Sequence, residues 1–238
     1  MDGRPILIVG VGGLGVPAAL TLAKRGAGRI ALMDPDRVEL SNLPRQVIFS
    51  AAHVGLPKAV AAREQLKRRF PGLEIDCLPW ALGPDNADSV VRRFGFVIDA
   101  TDSPAAKFLI NDRCVALQKP FVYGGVLGFS GQAMTVVPGR SACLRCLFEE
   151  PPQAGEAASC RQAGIAGPVA AAVGIVQADE AIRWLHGEPP ALEGRLLTLE
   201  AANVARTRVI DVRARPGCPC GAAQRAQMSE DHELCRQP

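Results

Sequence analysis

The fold is decided by residues 6–15, which read Ile-Leu-Ile-Val-Gly-Val-Gly-Gly-Leu-Gly. The first four residues are wholly apolar and end in a glycine, which is typical of a strand buried on both faces of a parallel sheet. Gly10, Gly12 and Gly15 then give the spacing G-x-G-x-x-G between this strand and a helix predicted over 18–25. At such a turn, backbone N–H groups and the helix dipole favour a phosphate. The stretch therefore predicts a nucleotide-binding α/β fold.

The alternation of apolar runs and helical segments continues along the chain. It predicts strands at 29–34, 73–78, 96–99 and 121–123, with helices at 58–70, 85–93 and 105–118. This order indicates a doubly wound, Rossmann-like and mostly parallel sheet. After residue 132, we predict further strands at 133–137, 195–200 and 206–212 around one long helix at 169–185. We expect these strands to extend the sheet in antiparallel fashion.

Composition limits the classes of protein to which the chain can belong. With 238 residues, 48% hydrophobic and 21% charged, it is expected to form one compact domain. The net charge is only +3 and the basic residues are scattered, which predicts no nucleic-acid or membrane partner. The uncharged stretch 5–23 contains four glycines and Pro17, so it makes a poor membrane span or signal peptide. Eight cysteines are too dilute for a disulfide scaffold, and a reducing, cytoplasmic location is expected.

Charged residues follow the glycine turn where strands are predicted to end. Asp34 can accept hydrogen bonds from ribose hydroxyls, which at this point makes NAD the leading nucleotide. A tight glycine turn that binds nothing is the alternative. Arg45 and Lys58 add two cations that could meet a polyphosphate, and dehydrogenases do not need that pair. Asp102 comes just after another strand and could hold Mg²⁺ beside the phosphates.

Five motifs occur in a fixed order: Gly-x-Gly-Gly-Leu-Gly, Asp34-x-Asp36, Asn42-Leu-x-Arg45-Gln46, Gly55-x-Pro57-Lys58 and Asp99-Ala-Thr-Asp102. In this order they resemble the ThiF/MoeB/HesA family, the bacterial branch of the ubiquitin-activating-enzyme superfamily, from Ile6 to Gly221. The resemblance implies an adenylyltransferase that uses ATP and Mg²⁺. Its substrate would be the C-terminal glycine carboxylate of a small ubiquitin-like sulfur-carrier protein ending in Gly-Gly.

The resemblance also implies roles for single residues. The nucleotide would be bound by Gly10, Gly12, Gly13, Gly15, Asp34, Asp36, Asn42, Arg45, Gln46 and Lys58. Asp34 would hold the ribose and Asp102 the magnesium ion. The catalytic positions would be Arg45, Lys58, Asp102 and Cys160. Attack of a carboxylate on the α-phosphorus gathers negative charge, so positioned cations matter more than a general base.

Two cysteine pairs, Cys143-Leu-Arg-Cys146 and Cys218-Pro-Cys220, enclose 71 residues. In the family, two such pairs hold one structural Zn²⁺ with four thiolates. The second pair here has one intervening residue where the family usually has two. Cys235 is therefore an alternative fourth ligand, and free thiols on a loop are the alternative to a zinc site.

Cys160 follows a stretch, residues 149–159, that lacks hydrophobic periodicity and is predicted to be a mobile surface loop. The run from Cys160 to Val169 is similar to the ThiF-type stretch whose cysteine joins the activated carrier covalently. In MoeB-like relatives the matching cysteine is dispensable. A covalent role and an exposed bystander thiol both stay open for Cys160.

We expect a single ThiF-type domain with three parts. These are an ATP-binding part at 1–135, a zinc, crossover-loop and carrier-docking part at 136–221, and a loose tail at 222–238. The resemblance implies a homodimer and a separate sulfur-donor protein. The chain departs from the family at Ser103, where asparagine is usual. It also departs before Ile6, where Arg4 is not assigned the role of the family's N-terminal arginine.

Two rival functions use part of the same pattern. An NAD-dependent oxidoreductase would use the glycines and Asp34, but it leaves Arg45, Lys58 and the paired thiols unexplained. A non-catalytic homologue that only docks a carrier would not need Lys58 and Asp102.

Overall fold

The computed structural model describes residues 5–151, 164–202 and 206–221. One eight-stranded sheet crosses the molecule in the order β3-β2-β1-β4-β5-β6-β7-β8. Its strands are β1 (Ile6–Val9), β2 (Arg29–Met33), β3 (Glu74–Leu78), β4 (Phe96–Asp99), β5 (Phe121–Leu127), β6 (Ser130–Val136), β7 (Arg195–Glu200) and β8 (Arg206–Asp211). Strands β1 to β5 are parallel to one another, and β6 to β8 continue the sheet in antiparallel fashion. The predicted fold class is confirmed.

Helices cover both faces of the sheet. They are α1 (Gly15–Lys24), α2 (Lys58–Arg69), α3 (Ala87–Val91), α4 (Pro104–Ala116), α5 (Leu144–Leu147) and α6 (Gly167–Leu185). Ile6 and Ile8 of β1 lie in the core beneath α1, α2 and α6. Leu7 and Val9 lie in the opposite core, beneath α3, α4 and α5. Burial on both faces is why β1 reads as an unbroken apolar run. Among the described helices, none has the length and apolarity needed to cross a membrane.

Strand β5 is longer than predicted. The sequence predicts an end at Tyr123, before Gly124 and Gly125, but the strand continues to Leu127. All seven of its residues pair with β6, and only the first three pair with β4. Both glycines fit because side chains lie close to them: a Cβ at Gly124 would lie 2.5 Å from the Gln177 side chain of α6, and one at Gly125 would lie 2.6 Å from the Tyr123 hydroxyl. Tertiary pairing therefore overrides the low strand preference of glycine.

Two close backbone approaches hold α1 in place. A Cβ at Gly15 would lie 1.8 Å from the carbonyl oxygen of Gly10, so the first turn of α1 packs directly on the end of β1. A Cβ at Gly174, in the middle of α6, would lie 2.2 Å from the carbonyl oxygen of Leu14. Helices α1 and α6 thus touch through main-chain atoms at the point where the glycine turn becomes a helix.

Replacing Gly15 by alanine is expected to lower the free energy of unfolding by about 3 kcal/mol or more, because the obstructing atom is backbone and cannot rotate away. Gly28→Ala is the matched control, since a Cβ there meets nothing within 4 Å and its φ is not positive. Urea unfolding followed by circular dichroism measures both. Equal stability of the two variants would contradict the packing role of Gly15.

Candidate functional site

A cavity of about 700 Å³ opens at the carboxyl ends of β1, β2 and β4. Ligands of open α/β sheets bind at this edge. Most of the predicted site residues line the cavity: Gly10, Gly12, Gly13, Asp34, Asp36, Asn42, Arg45, Gln46, Lys58 and Asp102. Gly15 is not among the lining residues, and its closeness to Gly10 gives it a packing role in the turn. Residues from five separate motifs therefore meet at one place.

The glycine turn forms the floor of the cavity. Gly10 has φ +96°, a left-handed conformation that glycine adopts without strain. Its N–H donates to the carbonyl of Met33 at 2.8 Å, and a Cβ would lie 2.5 Å from the carbonyl oxygen of Ala100. The turn therefore brings the end of β1 close to the segment that follows β4. Gly12 and Gly13 line the cavity with backbone atoms alone.

Asp34 is nearly buried, with 5% of its surface exposed. Its two oxygens accept from the N–H groups of Val11, at 2.7 Å, and Asp36, at 2.8 Å. Burial raises the pKa of this carboxyl, while Lys58 and the two backbone hydrogen bonds act in the opposite direction. Each carboxylate oxygen has a further lone pair. Asp34 thus fixes the glycine turn and can still accept from a ligand hydroxyl.

Lys58 begins α2 and reaches the cavity wall. Its side chain is only 9% exposed, and Nζ donates to Oδ2 of Asp36 at 2.8 Å. The Asp36 side chain is 65% exposed. The sequence predicted both residues at the site but not this ion pair. Because the Asp36 carboxylate is largely solvated, breaking its ion pair with Lys58 costs little free energy, so Lys58 can bind a phosphate instead.

Asn42, Arg45 and Gln46 also line the cavity and form a hydrogen-bonded cluster. Oδ1 of Asn42 accepts from the Arg45 guanidinium at 2.9 Å and from the Gln46 amide at 3.3 Å. Arg45 also donates to the carbonyl of Ser41 at 3.1 Å. Oε1 of Gln46 is buried without a hydrogen-bond partner in the described part of the chain. A buried acceptor left unpaired is costly, so a donor group of a bound ligand or water would be favourable there.

Four thiols meet on the α5 side of the sheet. The sulfurs of Cys143, Cys146, Cys218 and Cys220 all lie within 4.8 Å of one another. Cys143 and Cys218 are 3.6 Å apart, and Cys146 and Cys220 are 3.4 Å apart. Tetrahedral thiolate ligation of zinc needs comparable sulfur separations, because each Zn–S bond is about 2.3 Å. The shortened second pair therefore reaches the cluster with both of its cysteines.

The electrostatics of this thiol cluster favour a cation. The hydrogen bond from Cys220 lowers the pKa of Cys143 to about 5, against the opposing effect of burial. The same contact raises the pKa of Cys220. One thiolate therefore forms readily, and its negative charge disfavours ionisation of the neighbouring thiols. A bound divalent cation would offset this repulsion. Cys235 and Cys160 lie outside the described residues, as does most of the predicted loop at 149–159.

The sequence pattern of the ThiF family matches residues 4–220. The chain belongs to the ThiF family. It is 38% identical, over 234 residues, to the sulfur carrier protein adenylyltransferase of Thermus thermophilus, covering 96% of this chain and 86% of that protein. It is 40% identical, over 218 residues, to the adenylyltransferase and sulfurtransferase MOCS3-1 of Zea mays, covering 91% of this chain and 46% of that protein. The chain thus spans about half the length of that maize relative. The predicted family is confirmed.

Solved structures share the ThiF fold seen here. Escherichia coli MccB with MccA-N7isoASN superposes with a TM-score of 0.81 at 20% identity, covering 92% of this chain and 67% of that one. MccB with ATP gives a TM-score of 0.78 at 21% identity, covering 90% and 65%. At such identities the likeness concerns the fold.

Within this ThiF fold, sequence reasoning missed a buried ion pair beside the cavity. Asp99 is fully buried and receives Nζ of Lys107 on both oxygens at 3.3 Å. The hydroxyl and N–H of Thr101 donate to the same carboxylate, at 2.7 and 3.1 Å. Lys107 also donates to the carbonyl of Gly124. Asp99 is predicted at the end of a buried strand, and a buried carboxylate requires a cation. That requirement could have pointed to a basic partner such as Lys107.

The turn fixed by Asp99 presents Asp102 at the cavity wall. Asp102 is exposed, and no residue in the described ranges forms an ion pair with it. Ser103, which stands where asparagine is usual in the family, has a structural role. Its Oγ accepts a hydrogen bond from the N–H of Ala106 at 3.4 Å and caps α4. Serine therefore supplies the cap that starts α4, beside the cavity.

Proposed function

We propose that the chain catalyses ATP-dependent adenylylation of the C-terminal glycine carboxylate of a small ubiquitin-like sulfur-carrier protein, with release of pyrophosphate. One observation carries the proposal: two cations, Arg45 and Lys58, and the exposed carboxylate of Asp102 face the same cavity as the glycine turn. Membership of the ThiF family supports it, as does the adenylyltransferase activity in the names of the relatives.

The proposed roles follow from the chemistry of each wall. Asp34 would accept from the ribose hydroxyls, and the N–H groups of the glycine turn would receive the phosphates. Arg45 and Lys58, with Asn42 and Gln46 beside them, would bind the triphosphate oxygens. Asp36 would hold Lys58 in position between turnovers. These groups are placed before the reaction starts, so they need little reorganisation as charge develops.

Asp102 would hold the magnesium ion. Its carboxylate suits a hard cation that prefers oxygen ligands, and it stands on the cavity wall free of an ion pair in the described residues. When bound, Mg²⁺ neutralises charge on the phosphates and the leaving pyrophosphate. A glycine carboxylate is already ionised at neutral pH, so the chain needs to position this nucleophile and not to deprotonate it.

The thiol cluster would hold a structural Zn²⁺ through Cys143, Cys146, Cys218 and Cys220. It would fasten the segment after β6 to the segment after β8. Thiols stay available for zinc in a reducing compartment, which supports a cytoplasmic location. The continuous sheet supports one domain, with ATP bound at 1–135 and the carrier and zinc at 136–221.

Two partners complete the proposed reaction. A homodimer is expected, as in the family, and light scattering tests it. A separate donor protein would supply the sulfur that displaces AMP from the activated carrier.

Pyrophosphate exchange is the decisive experiment. We expect the protein, with Mg²⁺ and a carrier ending in Gly-Gly, to incorporate labelled pyrophosphate into ATP. The same carrier without its last glycine is the matched control, and it should support no exchange. Tight binding of NADH together with no binding of ATP would favour the oxidoreductase instead. Binding of the carrier without any exchange would favour a non-catalytic docking protein.

Cys160→Ala is expected to leave the rate of pyrophosphate exchange within about twofold of the wild type, since adenylylation depends on charge stabilisation and not on a thiol nucleophile. We propose that Cys160 acts in a later covalent step, in which its thiol attacks the activated glycine carbonyl, a thioester forms and AMP leaves. An enzyme–carrier adduct, sought by intact-mass measurement, should form in the wild type and be lost in the variant. A tenfold loss of exchange would place Cys160 in the first step.

A further inference from the structure

The loop after β3 supplies an aromatic wall to the cavity. Trp80, Ala81 and Leu82 all line it, beside Met33 and Pro35 from the end of β2. Trp80 is 46% exposed. An indole left half uncovered inside a cavity offers a flat apolar face to a ligand.

The position of Trp80 relative to Asp34 assigns it to one part of a nucleotide. Strands β2 and β3 are parallel neighbours, and the N–H of Asp34 donates to the carbonyl of Leu78 at 3.2 Å. Trp80 comes two residues after that carbonyl. The glycine turn lies on the other side of Asp34, at the end of β1. A ligand with phosphates at the turn and ribose at Asp34 therefore extends its base toward Trp80.

The loop that carries Trp80 is held in place by one side chain. Oδ1 of Asn86 accepts from the N–H of Gly83 at 2.9 Å, and its Nδ2 donates to the carbonyl of Ala81 at 2.9 Å. These two bonds close the loop between β3 and α3. The backbone that carries Trp80 is therefore ordered before a ligand arrives, which reduces the ordering cost of binding.

We propose that Trp80 binds the base of ATP by stacking its indole on the purine ring. This inference rests on the proposed function for the nucleotide, and it adds the residue that recognises the base. Stacking on an aromatic side chain is possible with any base, but the ligand must have a base. Trp80 should therefore contribute to the affinity for ATP and contribute nothing to the affinity for inorganic triphosphate.

Fluorescence can observe this contact without any turnover. The chain has two tryptophans, and the other, Trp184, is partly buried and packs against Phe96 of the core at 6.2 Å between ring centroids. In a Trp184→Phe background the tryptophan emission comes from Trp80 alone. Addition of ATP with Mg²⁺ is expected to quench it. Inorganic triphosphate, whose binding is followed by calorimetry, should bind without quenching.

Affinity measurements on substituted proteins complete the test. Trp80→Ala should raise the Kd for ATP about tenfold and leave the Kd for inorganic triphosphate unchanged, which also shows that the variant is folded. Trp80→Phe should recover most of the loss. Phe129→Ala is the control, since Phe129 is 57% exposed and does not line the cavity.

The outcomes separate this inference from the function on which it rests. If Trp80→Ala binds ATP as the wild type does, or weakens ATP and inorganic triphosphate equally, stacking is overturned and adenylylation stands. If the wild type binds no ATP, both are overturned.

Discussion

Asp102→Ala is expected to lower carrier-dependent pyrophosphate exchange by about 100-fold or more, the usual loss when a group that stabilises transition-state charge is removed. Asp102 stands at the cavity wall, and its carboxylate has no ion pair among the described residues to satisfy it. Its removal would leave the magnesium ion without its protein ligand. The loss should appear in kcat, because the glycine turn and Asp34 would still bind the nucleotide.

The matched control for Asp102→Ala is Asp85→Ala. Asp85 is also an exposed carboxylate, and it does not line the cavity. The Asp85→Ala variant should therefore exchange pyrophosphate at the wild-type rate. Raising the concentration of Mg²⁺ should restore part of the activity of Asp102→Ala by mass action. Normal exchange by Asp102→Ala would show that the metal assignment is wrong.

Cys220→Ser is expected to remove the bound zinc and to lower the free energy of unfolding by about 3 kcal/mol or more. Structural zinc sites supply about 10 kcal/mol of apparent binding free energy, and that energy is available only to the folded chain. Cys220 is buried and its sulfur is 3.4 Å from that of Cys146, so a serine oxygen would be a poor replacement ligand. Elemental analysis and thermal unfolding measure the two effects.

Cys77→Ser is the matched control for the thiol cluster. Cys77 is a half-buried cysteine of β3 and does not belong to the cluster. It should keep the full zinc content. A chelator should lower the melting temperature of Cys77→Ser and of the wild type, and leave that of Cys220→Ser unchanged. A wild-type protein free of zinc and indifferent to the chelator would overturn the zinc assignment.

The parallel half of the fold was predictable from sequence because its strands are buried on both faces. That burial leaves apolar runs such as 6–9 and 96–99, and the predicted bounds of both agree with the structure. The sheet then brings residues at the strand ends together. Asp34 and Asp102 are far apart in sequence, yet they line one cavity because β2 and β4 flank β1.

What could not be predicted depends on contacts between distant parts of the chain. Gly124 and Gly125 favour a turn locally, and only the pairing with β6 keeps them in a strand. The choice of Lys107 as the partner of Asp99 depends on how α4 is rotated against the sheet. The place of Trp80 on the cavity wall depends on a loop fixed by Asn86, and no pattern within that loop predicts it.

The contact between Gly174 and the carbonyl of Leu14 affects how mutational scans of this chain should be interpreted. Gly174 does not line the cavity, yet any larger residue would push α6 away from the first turn of α1 and displace the glycine turn, whose amides we propose to receive the phosphates. Position 174 should therefore score as inactivating in a selection for activity, as strongly as true ligand contacts do. A scan that also records protein abundance will separate such scaffold positions from those that meet the nucleotide.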